Sequence, residues 1–489
     1  MRGLSPIALG LMLAYSAQAA DLLDVYQAAE QQDQAYAAAK AAFKAGIEKL
    51  PQARAALWPQ VNLTAPLRWN YANDQFFDRK GTYGSASYTL SLTQPLYRLQ
   101  NNIVVDQATL QLTQFEAQLN QAQQDLILRA AQAYFDVLLA EDNVAVSRNQ
   151  KIAISEQLQQ AKRNFEVGTA TITDTHEAQA RYDLATAREI ADQNDLEVKR
   201  RALEILIGKP LDNLVPLRDK LILPPPTPSD MSQWVDVARK QNLQVVVFQA
   251  AEEIAAKEIS RNKAAFTPTV DLVASYGDSA TTTTTRQLGF GQEVSNASVG
   301  VQINIPIWEG GLRNSRVREA VANREKARYD TEGTRRQVAQ SARQAYLGVT
   351  SGIAQVKALE QAVVSTQSQL DSTKLGQEVG VRTGVDVLNA QQQLFSARRD
   401  LYSAQYNTIL NQLKLKFAAG LLARNDLIEV NGALRKPGEP ASGNARLPQA
   451  VTPTPPKATG KPMNEVKPAA PKVKKPTRKP VPRRPGARQ

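Results

Sequence analysis

Proline is absent from residues 96–209 and again from residues 307–436, runs of 114 and 130 residues in a chain of 489. Proline removes a backbone donor and clashes with the preceding helical turn, so its absence over such lengths permits unusually long helices. Both runs are rich in Ala, Gln, Leu, Glu and Arg, which are strong helix formers. In the first, Leu112, Phe115, Leu119, Ala122, Leu126, Ala130, Ala133, Val137, Ala140 and Val144 step by threes and fours. That spacing is an amphipathic or coiled-coil stripe sustained over about nine turns. A helix over residues 98–163 would reach ~100 Å at 1.5 Å per residue, whereas the mean globular helix has about 11–12 residues. An ordinary globular domain has no use for such a length.

Each run is interrupted once, at Val167-Gly168-Thr169-Ala170-Thr171 and at Val379-Gly380-Val381-Arg382-Thr383-Gly384. These spacings predict tight reversals into a second helix. Asp174 and Asp386 fall near the start of the returning helices, where a carboxylate suits the helix dipole. The returning helices are expected to end near Gly208 and Gly420.

The two runs belong to a larger repeat. Ala133-Tyr134 answers Ala345-Tyr346, Asp174 answers Asp386 and Gly208 answers Gly420, all at an offset of 212. Gln94-Pro95-Leu96-Tyr97 answers Ile305-Pro306-Ile307-Trp308 at 211, and Trp58-Pro59 answers Thr267-Pro268 at 209. A slowly drifting offset of this kind marks a duplication. It divides the body into residues 20–222 and 223–436, each with a helix, two strands and a long helical hairpin.

Four segments alternate with period two. Val61, Leu63, Ala65, Leu67, Trp69 and Tyr71 share one face of residues 60–71, and Ala86, Tyr88, Leu90, Leu92 and Leu96 one face of residues 85–97. The second repeat offers Val270, Leu272, Ala274 and Tyr276, then Ala297, Val299, Val301, Ile303, Ile305 and Ile307. Ser, Thr, Asn and Gln dominate the opposite faces. Apolar outside, polar inside and aromatic at the ends is the pattern of transmembrane β-strands. The connections 72–84 and 277–296 are long, polar and Gly-containing, as outer loops of a barrel would be; Gly289-Phe290-Gly291 reads as part of one. Four strands cannot close a barrel, and open sheet edges in lipid leave backbone groups unsatisfied. Other subunits must complete the sheet: a dimer would supply eight strands and a trimer twelve.

The ends differ in kind from the body. Residues 1–19 read as a secretory signal peptide, with Arg2, a short apolar run from Ile7 to Tyr15, and the small-residue site Ala17-Gln18-Ala19. Residues 437–489 hold 13 of the 26 prolines and 12 Lys/Arg against only Glu439 and Glu465. That composition predicts a disordered basic tail suited to weak attachment to anionic cell-wall or membrane surfaces. The tail carries about ten of the twelve net positive charges, leaving the body nearly neutral at 46 basic and 45 acidic residues. The body therefore has no basic bias toward nucleic acid. With no Cys and His176 as the single His, thiolate and multi-His metal sites are excluded, and no cofactor site or catalytic constellation stands out. His176, beside Asp174, reads as an incidental surface residue.

The order of signal peptide, strand–loop–strand and long hairpin, then all of it again, resembles the TolC family of outer-membrane efflux and secretion ducts. The resemblance covers roughly residues 20–435. It is carried by Gln94-Pro95-Leu96-Tyr97, by Val167-Gly168-Thr169-Ala170-Thr171-Ile172-Thr173-Asp174, and by Val379-Gly380-Val381-Arg382-Thr383-Gly384-Val385-Asp386-Val387-Leu388. Asn389-Ala390 and Asn411-Gln412-Leu413-Lys414 continue it. The resemblance implies a mixed α and transmembrane β fold: a homotrimer in which four strands per chain complete a 12-stranded barrel above a long α-helical coiled-coil tunnel. It implies the outer membrane as its lipid environment, with a periplasmic adaptor (membrane fusion) protein and an inner-membrane translocase, either drug pump or ABC exporter, as partners. By the same resemblance, Asp174, Arg382 and Asp386 belong to an iris-like periplasmic gate. Two departures fall in that gate: Gln377 stands where well-known members carry Tyr, and Asn389 where they carry a second Asp. The hairpin tips Val167, Gly168, Thr169 and Val379, Gly380, Val381 are expected to face the adaptor. The rival reading is a structural coiled-coil envelope protein that conducts nothing; the alternating strands with aromatic ends speak for the duct.

Overall fold

The computed structural model describes residues 19–74, 79–210, 213–218, 221–283 and 293–435. The expected signal peptide apart from Ala19, the whole basic tail and Gly289-Phe290-Gly291 lie outside the described residues. The first repeat opens with α1 (Leu22–Gln32), α2 (Gln34–Ile47) and α3 (Lys49–Ala55). Strands β1 (Gln60–Thr64), β2 (Leu67–Asp74) and β3 (Arg79–Tyr97) follow, then α4 (Leu99–Glu166) and α5 (Ile172–Ile207). The second repeat has α6 (Met231–Gln241), α7 (Leu243–Ala264), β4 (Thr269–Thr283), β5 (Glu293–Asn304), α8 (Leu312–Glu378) and α9 (Gly384–Ala418). A short α10 (Arg424–Asn431) closes the described chain.

The long helices α4 and α8 have 68 and 67 residues, so each reaches ~100 Å at 1.5 Å per residue. Their partners α5 and α9, of 36 and 35 residues, run back beside the lower half only. No helix of the described residues is long and apolar enough to cross a membrane.

The sheet has four columns. β1 and β2 both pair antiparallel with β3, β3 with β4, and β4 with β5. Residues 60–71 thus form two strands where the alternation predicts one. Pro66 offers no donor to the ladder, yet the register passes straight through, from Thr64↔Thr89 to Leu67↔Ala86. At the other end β5 stops at Asn304, before Pro306, although the apolar alternation continues to Ile307. The hairpin ends extend further than expected. Ala72 pairs with Gly81 and Asp278 with Ser295, so much of the predicted loops is strand: Tyr, Thr and Ser favour pairing once a register is set. The edges at β1–β2 and at β5 have no partner strand among the described residues.

The main core sits at the waist, where α1, α10 and the ends of α5 and α9 surround the middle of α4. Leu22, Tyr26, Leu126, Tyr134, Phe135, Ile207, Leu413 and Leu427 are buried there together. Tyr134 also donates a hydrogen bond of 2.6 Å to the Val215 carbonyl, holding the inter-repeat segment to α4. Below it, α4–α5 and α8–α9 pack through smaller clusters in which Ala178, Ala185 and Ala390 allow close approach.

Candidate functional site

The lower ends of the two hairpins are built alike. Gly168 and Gly380 adopt φ of 78° and 80°, the left-handed region that a residue with a Cβ enters at a cost. Thr169 N then donates to Asn164 O at 2.8 Å and Val381 N to Gly376 O at 2.9 Å, closing each long helix with a Schellman-type bond. A Cβ at either glycine would meet nothing within 4 Å. The tips are therefore open: Val167, Val379 and Val381 are 73%, 66% and 76% exposed. Phe165, Ile172 and Leu375 are exposed close by, and Thr169 is tied back to Asn164 by its hydroxyl as well.

Each returning helix begins with a capping box. Thr171 caps α5 and Thr383 caps α9, their hydroxyls accepting from Asp174 N and Asp386 N. In return Asp174 Oδ2 accepts from Thr171 N at 3.0 Å and Thr171 Oγ1 at 2.9 Å. Asp386 Oδ2 accepts the equivalent pair from Thr383 at 2.9 and 3.0 Å. These bonds, with the nearby Arg382 charge, hold the Asp386 carboxyl below the usual carboxylate range. Both carboxylates thus carry a structural duty through one oxygen, while Oδ1 of each accepts no hydrogen bond among the described residues.

Within one protomer, no ion pair joins Arg382 to Asp174 or Asp386 among the described residues. Arg382 folds back along α8, where its side chain fills the space beside Gly376. Asp174 and Gln377 come together across the two hairpins, lining with Asn164, Gly384 and Leu388 a cavity of about 60 Å³. Asn389 faces the other hairpin: its Oδ1 accepts from Arg181 at 3.1 Å. His176 is exposed on α5.

Further up, polar contacts between α5, α9 and α4 lace the hairpins together. Arg399 on α9 reaches Asp192 on α5 at 3.1 Å, Lys151 on α4 bridges Glu189 on α5, and Gln150 bonds Gln392 at 2.7 Å. Sequence reasoning did not single out Arg181, Asp192 or Arg399, because each partner lies about two hundred residues away in the other repeat. The capping threonines did carry a signal: Thr-x-x-Asp immediately before a helical stripe.

Two long hairpins under an open, apolar-faced sheet define a subunit of a tunnel-and-barrel channel. The outer membrane efflux protein family model matches residues 25–209 and 234–421. Outer membrane protein TolC of Vibrio cholerae is 32% identical over 423 residues, covering 86% of this chain and 96% of its own. Alkaline protease secretion protein AprF of Pseudomonas aeruginosa is 32% identical over 425 residues, covering 85% and 88%. The crystal structure of the outer membrane protein VceC of Vibrio cholerae superposes with a TM-score of 0.69 at 20% identity, covering 82% of this chain and 96% of that one. The chain belongs to the outer membrane efflux protein family: its strands lie in the outer membrane and its helices extend into the periplasm.

Proposed function

We propose that three copies of this chain form an exit duct, passively conducting substrates across the periplasm and outer membrane, with its gate at the periplasmic hairpins. The observation that carries this reading is the sheet with two unpartnered edges and an apolar outer face above helices of ~100 Å. Such a sheet is stable in lipid only when other subunits close it. Two repeats of one unit, residues 20–222 and 223–436, give each subunit its two hairpins.

The relatives include a protease secretion protein and efflux channels, which supports use in type I secretion, drug efflux or both. An inner-membrane translocase, whether a drug pump or an ABC exporter, and a periplasmic adaptor complete the path. The open tips at Val167, Gly168, Thr169, Val379, Gly380 and Val381 suit docking of the adaptor. In the gate, the unpaired Oδ1 of Asp174 and Asp386 can receive Arg382 from a neighbouring subunit. Gln377 and Asn389 set the remaining contacts: Gln377 beside Asp174, Asn389 through Arg181. Exposed Asp–Arg bridges are worth ~0–1 kcal/mol each, so a ring of them latches without locking.

The test is reconstitution of the purified full-length protein into a planar lipid bilayer. A duct gives discrete conductance steps. Insertion as a trimer without any conductance would instead establish the structural envelope protein.

A further inference from the structure

Period-two pairing gives the sheet two faces of opposite character. One carries Leu63, Leu67, Trp69, Leu90 and Val301, and faces lipid in the assembled barrel. The other is lined by hydroxyls and amides such as Asn62, Thr64, Ser87, Ser91 and Gln302. Its groups bond to one another: Asn70 Nδ2 donates to Ser85 Oγ at 3.0 Å, and the hydroxyls of Ser275 and Ser298 lie 2.8 Å apart.

Only two charged residues occur among the described side chains of this polar face. Asp271 is 6% exposed and is neutralised by a two-pronged bond from Arg98, at 2.8 and 2.7 Å. Arg68 is exposed and has no ion pair among the described residues. The two lie at opposite ends of the sheet. Asp271 is in register with Pro95 and Arg68 with Ser85, ten residues or about 33 Å of strand apart at ~3.3 Å per residue. Trp69 and Tyr71, on either side of the next turn of the pleat, are 84% and 68% exposed on the lipid face. Aromatic rings of this kind settle at a membrane interface. Arg68 therefore points inward at the level of the outer girdle, near the external mouth.

We propose that Arg68 forms a ring of three guanidinium groups that makes the external mouth of the lumen prefer small anions. This rests on the trimeric barrel proposed above. Among the described side chains the rest of this wall is neutral, which leaves the ring's potential uncancelled by them, and fixed charge at a constriction enriches counter-ions locally. Screening reaches ~10 Å at 0.1 M salt and ~30 Å at 0.01 M, so the preference strengthens as salt is lowered. It also opposes the carboxylates at the far, periplasmic end. Anionic cargo meets a favourable site on leaving, and external cations meet a barrier.

The experiment compares wild type with R68K, R68Q and R68E as full-length trimers in a planar bilayer, measuring reversal potential across a KCl gradient at low salt. The chloride-to-potassium permeability ratio should be retained in R68K, fall about twofold in R68Q and fall further in R68E, as expected for loss and inversion of a fixed charge ring. Inorganic tripolyphosphate added on the loop side should block wild type and R68K at lower concentration than R68Q. Unchanged reversal potential and block in R68Q and R68E, in channels that conduct, would overturn the Arg68 assignment while leaving the duct intact. Absence of conductance in wild type would overturn the duct, and the ring with it.

Discussion

Arg181 on α5 donates to the Asn389 side chain on α9 at 3.1 Å, joining the two repeats three residues beyond the capping Asp386. Arg181 also lies 3.6 Å from Glu177 one turn earlier on its own helix. The donor is already a charged guanidinium, so converting Asn389 to Asp would add a Coulombic attraction to this bond and make it an ion pair. Asn389→Asp should therefore tighten the closed hairpins and lower the open probability, whereas Arg181→Ala should raise it. An exposed pair is worth ~0.2–1 kcal/mol, which corresponds to about a 1.4- to 5-fold change in the open-to-closed ratio per subunit. Single-channel recording measures this directly; equal open probabilities in the two variants would show that the contact does not bear on gating.

Acid should loosen the gate, and Thr383 should set the pH at which it does so. The Asp386 carboxyl is held below the ordinary carboxylate range chiefly by its bonds to Thr383, with a smaller contribution from Arg382. A group with a depressed native pKa contributes fully above its unfolded value of ~3.9, and that contribution is lost as pH falls through the lower native value. Conductance should thus rise only at pH below the usual carboxylate range in the wild type. In Thr383→Ala the depression shrinks, so the rise should begin at higher pH. Superimposable pH–conductance curves would contradict this.

Asp192 holds two arginines. It lies 3.1 Å from Arg399 on α9 and 3.1 Å from Arg188 on its own helix, and its side chain is only 8% exposed. Burial pulls the Arg399 guanidinium below its ordinary pKa, partly opposed by the Asp192 charge. Asp192→Asn would leave the two cations facing each other with only the weaker influence of Asp400 on Arg399. Breaking a fully buried pair costs 3–5 kcal/mol, and partial exposure of the arginines reduces this to about 1–3 kcal/mol here. The melting temperature of the variant should fall clearly, and Asp192→Asn with Arg399→Leu should recover part of the loss. No recovery in the double variant would show that the pairing is not the source.

Much of this architecture is legible in local pattern. Proline-free stripes give the long helices, Gly168 and Gly380 mark their ends, and Thr-x-x-Asp starts the returning helices. Alternation gives the strands and even the inward position of Arg68. Proline placement corrects the details, splitting the first strand at Pro66 and ending β5 before Pro306. The strand extensions toward the outer hairpins were not legible, because Ser, Thr, Tyr and Gly pair only once a neighbouring register is fixed. At the hairpin ends, the sequence points to Asp174, Arg382 and Asp386 only through the family resemblance. It could not show that both carboxylates are engaged as caps, nor that Asn389 meets Arg181. Contacts between residues two hundred positions apart follow from the packing angle of two hairpins, which no local pattern encodes.

The gate is tested most directly by single-channel conductance of wild type against Arg382→Ala with Asp386→Ala, in the same bilayer and salt. The wild type should open rarely and to a small conductance, and the double variant should be open most of the time, at higher conductance and with weaker preference for cations at the periplasmic side. Identical conductance and open probability in the two proteins would contradict the assignment of the gate to these residues.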